Sequence, residues 1–148
     1  MNFRKADKND VQCLVRFRKQ QLIDEGLSPI SEIDKELTEY FSSSISDGSF
    51  ISWLAIDGGK VVATSGICFY RLPPTYSNPT GRAAHITNMY TLPEYRNQGI
   101  ASHLLGLVIE EAKKLEYSLV RLHASADGKS VYRKMGFADS EGYMSMSI

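Results

Sequence analysis

The sequence has few cysteines, no apolar run long enough to cross a bilayer and no excess of charge of either sign. Its two cysteines, Cys13 and Cys68, belong to no CxxC motif and no Cys/His cluster, which excludes the usual patterns of zinc sites and redox pairs. Isolated thiols are typical of a reducing compartment, so a cytoplasmic location is expected. The longest uncharged stretch, Asn97 to Ile109, is too short and too polar for a membrane span. Met1 to Asp7 lacks the apolar segment of a secretory signal.

Charge and composition limit the classes of partner. Seventeen Lys and Arg residues balance seventeen Asp and Glu residues, so neither nucleic acid nor a membrane is expected as a partner. The chain has 148 residues, of which 43% are hydrophobic and 23% charged, as in an ordinary globular protein. This length predicts one domain over residues 1–148. The oligomeric state is left open, with a homodimer as one alternative.

Apolar spacing and turn residues predict a mixed α/β domain. Asp7 and Ser31 are expected to cap the first two helices, and Asp57-Gly58-Gly59 indicates a hairpin. The predicted helices are Asp7–Gln21, Ser31–Ser44, Gln98–Leu115 and Asp127–Met135. The predicted strands are Phe50–Ile56, Val61–Tyr70, Arg82–Thr91, Ser118–His123 and a last strand near Tyr143–Ile148. The second half of the chain therefore contains one strand–helix–strand crossover.

The turn before the third helix has the features of a phosphate site. Unpaired N–H groups and the positive end of the helix dipole both favour an anion at a helix start. Gly99 and Ala101 keep this start free of bulk, and Arg96 adds positive charge. The simpler alternative is a strand–turn–helix connection with a solvated arginine. No Walker loop or GxGxxG motif occurs.

Two motifs together resemble the GNAT superfamily of acetyl-CoA-dependent N-acetyltransferases. Arg96-x-x-Gly99-x-Ala101 is similar to the family's (Q/R)-x-x-G-x-(G/A) pyrophosphate loop. Val131-Tyr132-Arg133-Lys134-Met135-Gly136-Phe137 is similar to its L-Y-x-K-x-G-F segment, with Val131 in place of Leu. The resemblance implies a mixed, mostly antiparallel central sheet with a splayed parallel strand pair and helices on both faces.

The same resemblance implies acetyl-CoA as the cosubstrate. No metal is expected, since no Cys/His cluster occurs. The backbone of Met89, Tyr90 and Thr91 would pair with the pantetheine arm. The pyrophosphate would lie on the segment that comprises Arg96, Asn97, Gln98, Gly99, Ile100, Ala101 and Ser102. Many members carry an Asn just past the fifth strand. Ser125 stands there in this chain, with Asp127 close by, and either is a possible polar partner.

The resemblance also suggests an acid and a base. Tyr132 would face the thioester sulfur and protonate the leaving thiolate; the alternative is a half-buried aromatic residue on a short helix. In the histone-acetyltransferase branch a Glu on the strand before the loop is the base, and His85 lies near that position. His123 is an alternative that could also face the cleft. A third alternative is water, since many members have no dedicated base.

These features predict an N-acetyltransferase that moves an acetyl group to a primary amine of a small molecule or peptide. Direct attack without an acetyl-enzyme is expected, because no motif activates Cys13 or Cys68. The alternative is a non-catalytic acetyl-CoA sensor of the same fold. The first two helices, their connection and a proline-rich loop are expected to set acceptor specificity, with candidates Glu25, Glu32, Tyr40, Arg71 and Tyr76.

Overall fold

A computed structural model describes residues 1–140 and 142–148. Its strands are β1 (Asn2–Lys5), β2 (Phe50–Asp57), β3 (Lys60–Arg71), β4 (Arg82–Thr91) and β5 (Val120–Leu122). Its α-helices are α1 (Val11–Asp24), α2 (Asp34–Asp47), α3 (Ile100–Lys114) and α4 (Lys129–Lys134). No helix in the described part of the chain has the length and apolar character needed to cross a bilayer.

The strands form one sheet in the order β1-β2-β3-β4-β5. Neighbours are antiparallel except β4 and β5, which are parallel and are joined through α3. This topology confirms the predicted mostly antiparallel sheet with one parallel pair. β1 was not predicted from the sequence, because its four residues, Asn-Phe-Arg-Lys, carry almost no apolar signal; it is defined by its pairing with β2.

Helices cover both faces of the sheet, each over its own apolar core. On one face, Val11, Leu14 and Val15 of α1 pack with Phe41 of α2 and with side chains of β2. On the other face, α3 buries the apolar stripe that its sequence predicts, and four of its residues are fully buried: Leu104, Leu105, Val108 and Ala112. A helix with such a stripe is stabilised mainly by this burial.

Three details of the prediction are corrected by the structure. Asp7 does act as a cap, but of a short 3-10 turn (Lys8–Asp10), and α1 begins after it. Ser31 is not a cap, since α2 begins at Asp34 and Ile33 precedes it. The last strand is wrong: residues 142–148 pair with none of β1 to β5. Alternating apolar residues make a strand only where a neighbouring strand accepts their hydrogen bonds.

A β-bulge interrupts β4 in its second half. Asn88 and Met89 lie opposite the single residue Ser65 of β3, and Asn88 has a φ of 56°. Gly66 is required beside the bulge, because a Cβ there would lie 2.6 Å from the ring of Phe50. A bulge adds one residue to one strand and bends it.

The bulge reverses which side chains of β4 face α1. Before it, His85 pairs with Cys68, which packs on the α1–α2 core. After it, Tyr90 lies against Phe17 of α1, with ring centroids 5.6 Å apart, and Met89 packs with the α3 core. The extra residue therefore brings Tyr90 to the end of α1.

Candidate active site

A large cleft opens where β4 and β5 part. Their parallel pairing covers only Ala84–Ile86 and Val120–Leu122, whereas β4 continues to Thr91. The cleft between the separated ends has a volume of about 1010 Å³. The chain on one side leads from β4 into α3, and the chain on the other leads from β5 into α4.

The turn that begins α3 forms one wall of this cleft. Gly99 precedes the first residue of α3 with a φ of 78°, and Asn97 is also left-handed, with a φ of 60°. Left-handed turn residues before a helix make concavities lined with N–H groups. A Cβ on Gly99 would meet no atom within 4 Å, so the space in front of the helix is open. The geometry therefore fits an anion at this position.

Most of the predicted cofactor residues lie together in the cleft. Its walls include Met89, Tyr90, Thr91, Arg96, Asn97, Gly99, Ile100, Ala101, Ser102 and Ser125. Gln98 is the member of the predicted set that is not in the lining, and its side chain donates to the Glu94 carbonyl at 3.2 Å. The Ser125 hydroxyl accepts a 3.2 Å hydrogen bond from the N–H of Gly128 and so supports the start of α4.

Arg96 is held by the end of α1. Its guanidinium lies 2.9 Å from Asp24 Oδ2 and donates to the Thr91 carbonyl at 3.0 Å. The Tyr90 hydroxyl donates to the same Asp24 oxygen at 3.1 Å. Hydrogen bonds from Gln20 and then from Arg96 lower the pKa of Asp24, so this carboxyl stays ionised. The mouth of the cleft therefore holds a compensated charge pair.

Tyr132 of α4 is half-buried in the lining of the cleft. Gly128 leaves room for its ring, because a Cβ on Gly128 would lie 2.7 Å from a ring carbon of Tyr132. Burial raises the pKa of the Tyr132 hydroxyl, and the negative charge of Glu25 raises it further. The phenol therefore keeps its proton at neutral pH and can act as a proton donor.

A second, smaller pocket of about 250 Å³ adjoins the cleft. Four residues line both cavities: Gln21, Glu25, Met89 and Tyr132. His85 and His123 lie in this small pocket. Burial lowers the pKa of His85, and electrostatic interaction with the neighbouring His123 and Arg18 lowers it further, so its imidazole is neutral at pH 7. The two cavities meet at Tyr132.

The third histidine and most of the acceptor candidates lie elsewhere. His103 is exposed, and its ring lies tilted against the ring of Phe3, with ring centroids 4.2 Å apart. Of the predicted acceptor residues, Glu25 lines both cavities. The others are outside the lining of either cavity among the described residues: Glu32, Tyr40, Arg71 and Tyr76.

Sequence reasoning expected the first two helices to contribute to the acceptor site but did not identify the residues of α1 that line the two cavities. Gln21 and Asp24 line the cleft, and Arg18 lines the small pocket. The helical period predicts that α1 packs on the sheet, but no local signal indicates which of its polar residues face a cavity. In the described residues, no cluster of three or more His, Cys, Asp or Glu side chains could hold a metal ion.

Comparison with known proteins identifies the family. The family model described as "Acetyltransferase (GNAT) family" matches residues 18–137. The chain belongs to the GNAT acetyltransferase family. The matched region includes the second half of α1, the turn before α3, and α4, which are elements that build the cleft.

Several solved structures share this GNAT fold over almost the whole chain. The crystal structure of a predicted acetyltransferase with acetyl-CoA from Clostridium acetobutylicum is 44% identical, with a TM-score of 0.96 over 99% of this chain and 95% of that chain. A GCN5-related N-acetyltransferase from Ralstonia eutropha is 24% identical, with a TM-score of 0.93 over 99% of this chain and 97% of that one. The second likeness concerns the fold alone.

A curated relative has a named activity. Thialysine N-epsilon-acetyltransferase of Mus musculus is 29% identical over 93 residues, which are 59% of this chain and 52% of the relative. The match therefore spans about half the length of that mouse protein.

Proposed function

We propose that this GNAT chain transfers an acetyl group from acetyl-CoA to the primary amine of a small molecule or peptide. The observation that carries the proposal is the position of Tyr132, a protonated phenol at the junction of two adjoining cavities. One cavity suits a long phosphorylated cosubstrate, and the other suits an acceptor. We further propose that residues 1–148 form a single catalytic domain.

The cleft fits acetyl-CoA in its chemistry. Free N–H groups at the start of α3 and the open space at Gly99 suit the pyrophosphate. Beyond Ile86 the edge of β4 that faces the cleft has no partner strand in the described structure, so the backbone of Met89, Tyr90 and Thr91 can pair with an amide-bearing arm. Bound acetyl-CoA supplies the activated acetyl group.

Tyr132 is proposed as the acid and His85 as the base. Expulsion of a thiolate is assisted by a proton from a nearby hydroxyl, and the raised pKa of Tyr132 keeps that proton available. The amine must lose a proton before it attacks. His85 is neutral at pH 7 and lines the small pocket, so it can accept that proton directly or through water.

Direct transfer to the amine is proposed, without an acetyl-enzyme. Cys13 and Cys68 lie outside the lining of both cavities. Burial raises the pKa of both thiols, which disfavours the nucleophilic thiolate. The free thiols also support the proposed cytoplasmic location.

The experiment that tests the proposal measures acetyl transfer to a panel of primary amines. The purified chain is incubated with acetyl-CoA, free CoA thiol is followed over time, and acetylated amine is identified by mass spectrometry. We expect thiol release that depends on the amine. Binding of acetyl-CoA with no amine-dependent thiol release across peptide and small-molecule acceptors would instead indicate the sensor.

A further inference from the structure

The small pocket contains an arginine that forms no ion pair with a carboxylate of the described residues. Arg18 of α1 is half-buried in its lining. It takes part in none of the ion pairs formed among the described residues. Within the described residues, its guanidinium donates a hydrogen bond to Gln21 Oε1 at 3.1 Å. A guanidinium has five N–H donors, so Arg18 has donors left for a ligand.

A hydrogen-bonded row on α1 separates two opposite charges. Gln21 is only 8% exposed, accepts from Arg18 and donates to Glu25 Oε1 at 3.0 Å. Arg18 and Glu25 are seven residues apart, which corresponds to about 10 Å along a helix axis. Glu25 lies at the junction with the cleft, and Arg18 lines only the small pocket. The positive charge of Arg18 and the negative charge of Glu25 therefore lie at opposite ends of this row, and both residues line the small pocket.

The remaining side chains of the pocket disfavour an acceptor that carries a second ammonium group besides the amine to be acetylated. Among the described residues, Glu25 is the one acidic residue in the lining, and it lies on the side shared with the cleft. The other ionisable side chains in the lining are Arg18, His85, His123 and Tyr132, and the Tyr132 phenol is uncharged at neutral pH. A polyamine would place its far ammonium group beside Arg18, where like charges repel. An anion at the same place would gain charge-assisted hydrogen bonds.

We propose that the acceptor is a small primary amine that also carries an oxyanion group, a carboxylate or a phosphate. Arg18 binds the oxyanion, and the amine is directed towards Glu25 and Tyr132. Arginine suits this role because its planar fork matches both groups. The proposal rests on the proposed acetyltransferase function and specifies its acceptor.

Matched acceptor pairs test this specificity. The first pair is 6-aminohexanoate and pentylamine, which differ by the carboxylate alone. The second is phosphoethanolamine and ethanolamine, which differ by the phosphate. We expect at least one charged member to exceed its uncharged partner in kcat/KM by about 10- to 100-fold, the range for a hydrogen-bonded charge. The pair that shows the difference identifies the oxyanion.

Substitution of Arg18 assigns the effect. In Arg18→Gln we expect the KM of the preferred charged acceptor to rise by about 10- to 100-fold. Arg18 also lowers the pKa of His85, so both proteins are compared well above pH 6.5, the ordinary histidine pKa, where His85 is in its base form. The uncharged partner should then stay within about twofold, because it makes no bond to the guanidinium. Arg18→Lys should recover part of the preference. Arg16→Gln is the matched control, since Arg16 is an exposed arginine of α1 outside both cavities.

Three results would overturn the inference. The first is an equal kcat/KM for the two members of each acceptor pair. The second is a higher kcat/KM for a diamine than for either charged acceptor. The third is an equal loss of kcat/KM for charged and uncharged acceptors in Arg18→Gln. If no amine is acetylated, the proposed function fails. Calorimetry with 6-acetamidohexanoate and with N-acetylphosphoethanolamine, on the wild type and Arg18→Gln, then still decides whether Arg18 binds the oxyanion.

Discussion

Asp24 and Arg96 form an ion pair of 2.9 Å across the mouth of the cleft. The two residues are 72 positions apart in the chain, and the pair connects the end of α1 to the turn before α3. The family resemblance assigns Arg96 to the pyrophosphate. The Asp24 carboxylate therefore holds the guanidinium that the cosubstrate would use.

Asp24→Asn should strengthen CoA binding, because it frees Arg96 and removes a negative charge near the pyrophosphate. We expect the dissociation constant to fall by about two- to fivefold, as for a partly exposed ion pair. This gain in CoA affinity should be smaller at high salt concentration, because salt screens the charges. Calorimetry with CoA measures it, and Asp34→Asn, which breaks the exposed pair with Lys19, is the control. Weaker binding would show that Asp24 orients Arg96 for the ligand.

Gly99→Asp should abolish CoA binding while the chain still folds. The new side chain would occupy the open space before α3 and place a negative charge there, so we expect a loss of about 100-fold or more. Gly48→Asp is a matched control, because Gly48 also has a φ of 78° and open space at its Cβ, but ends α2 outside both cavities. Unchanged CoA affinity in folded Gly99→Asp would refute the assigned site.

Tyr132→Phe should lower kcat by about 10²- to 10⁴-fold, the usual contribution of a general acid. The dissociation constant of CoA should change little, since the ring remains in place. Single-turnover measurements separate chemistry from product release. Tyr117→Phe is the control, as Tyr117 packs on Phe69 outside the cleft. A wild-type single-turnover rate in Tyr132→Phe would remove this residue from the mechanism.

The pH profile of kcat/KM tests His85 as the base. The pKa of His85 is lowered by burial and by neighbouring positive charge. Its base form is therefore lost only as the pH falls below about 6.5, the ordinary histidine pKa. We expect an acidic limb of the profile there, which His85→Ala abolishes and His103→Ala preserves. If the acidic limb survives in His85→Ala, a water chain becomes the better explanation.

Leu105→Ala should destabilise the fold. Leu105 is fully buried between α3 and the sheet, so the free energy of unfolding should fall by about 2–5 kcal/mol. Leu115→Ala, at an exposed leucine just after α3, should change it by about 0.5 kcal/mol or less. Denaturant midpoints at constant m measure both. An unmoved midpoint in Leu105→Ala would contradict the assigned core.

The elements predicted best are those whose signals are local. β4 occupies the predicted residues Arg82–Thr91, and α3 begins and ends within two residues of the prediction because its apolar stripe and Gly99 mark its limits. The motif residues around Gly99 and Tyr132 could be predicted as site residues for the same reason, since they are neighbours in sequence.

The parts that were missed depend on contacts between distant segments. Arg18, Gln21 and Asp24 face the cavities only because α1 packs across β4, and no spacing rule states which polar residues of α1 meet which loop. β1 is similarly defined by its partner β2. The last predicted strand shows the reverse case: its apolar residues alternate, but none of the described strands pairs with it.

The bulge at Asn88 makes the length of β4 a stronger constraint than its composition. Conservative replacements along the strand keep each side chain on its own face. Deletion of a single residue between Thr87 and Tyr90 would remove the offset, so Tyr90 would turn away from Asp24 towards α3, and every later side chain of the strand would follow. Relatives that share this cleft are therefore expected to tolerate substitutions in this segment but not insertions or deletions.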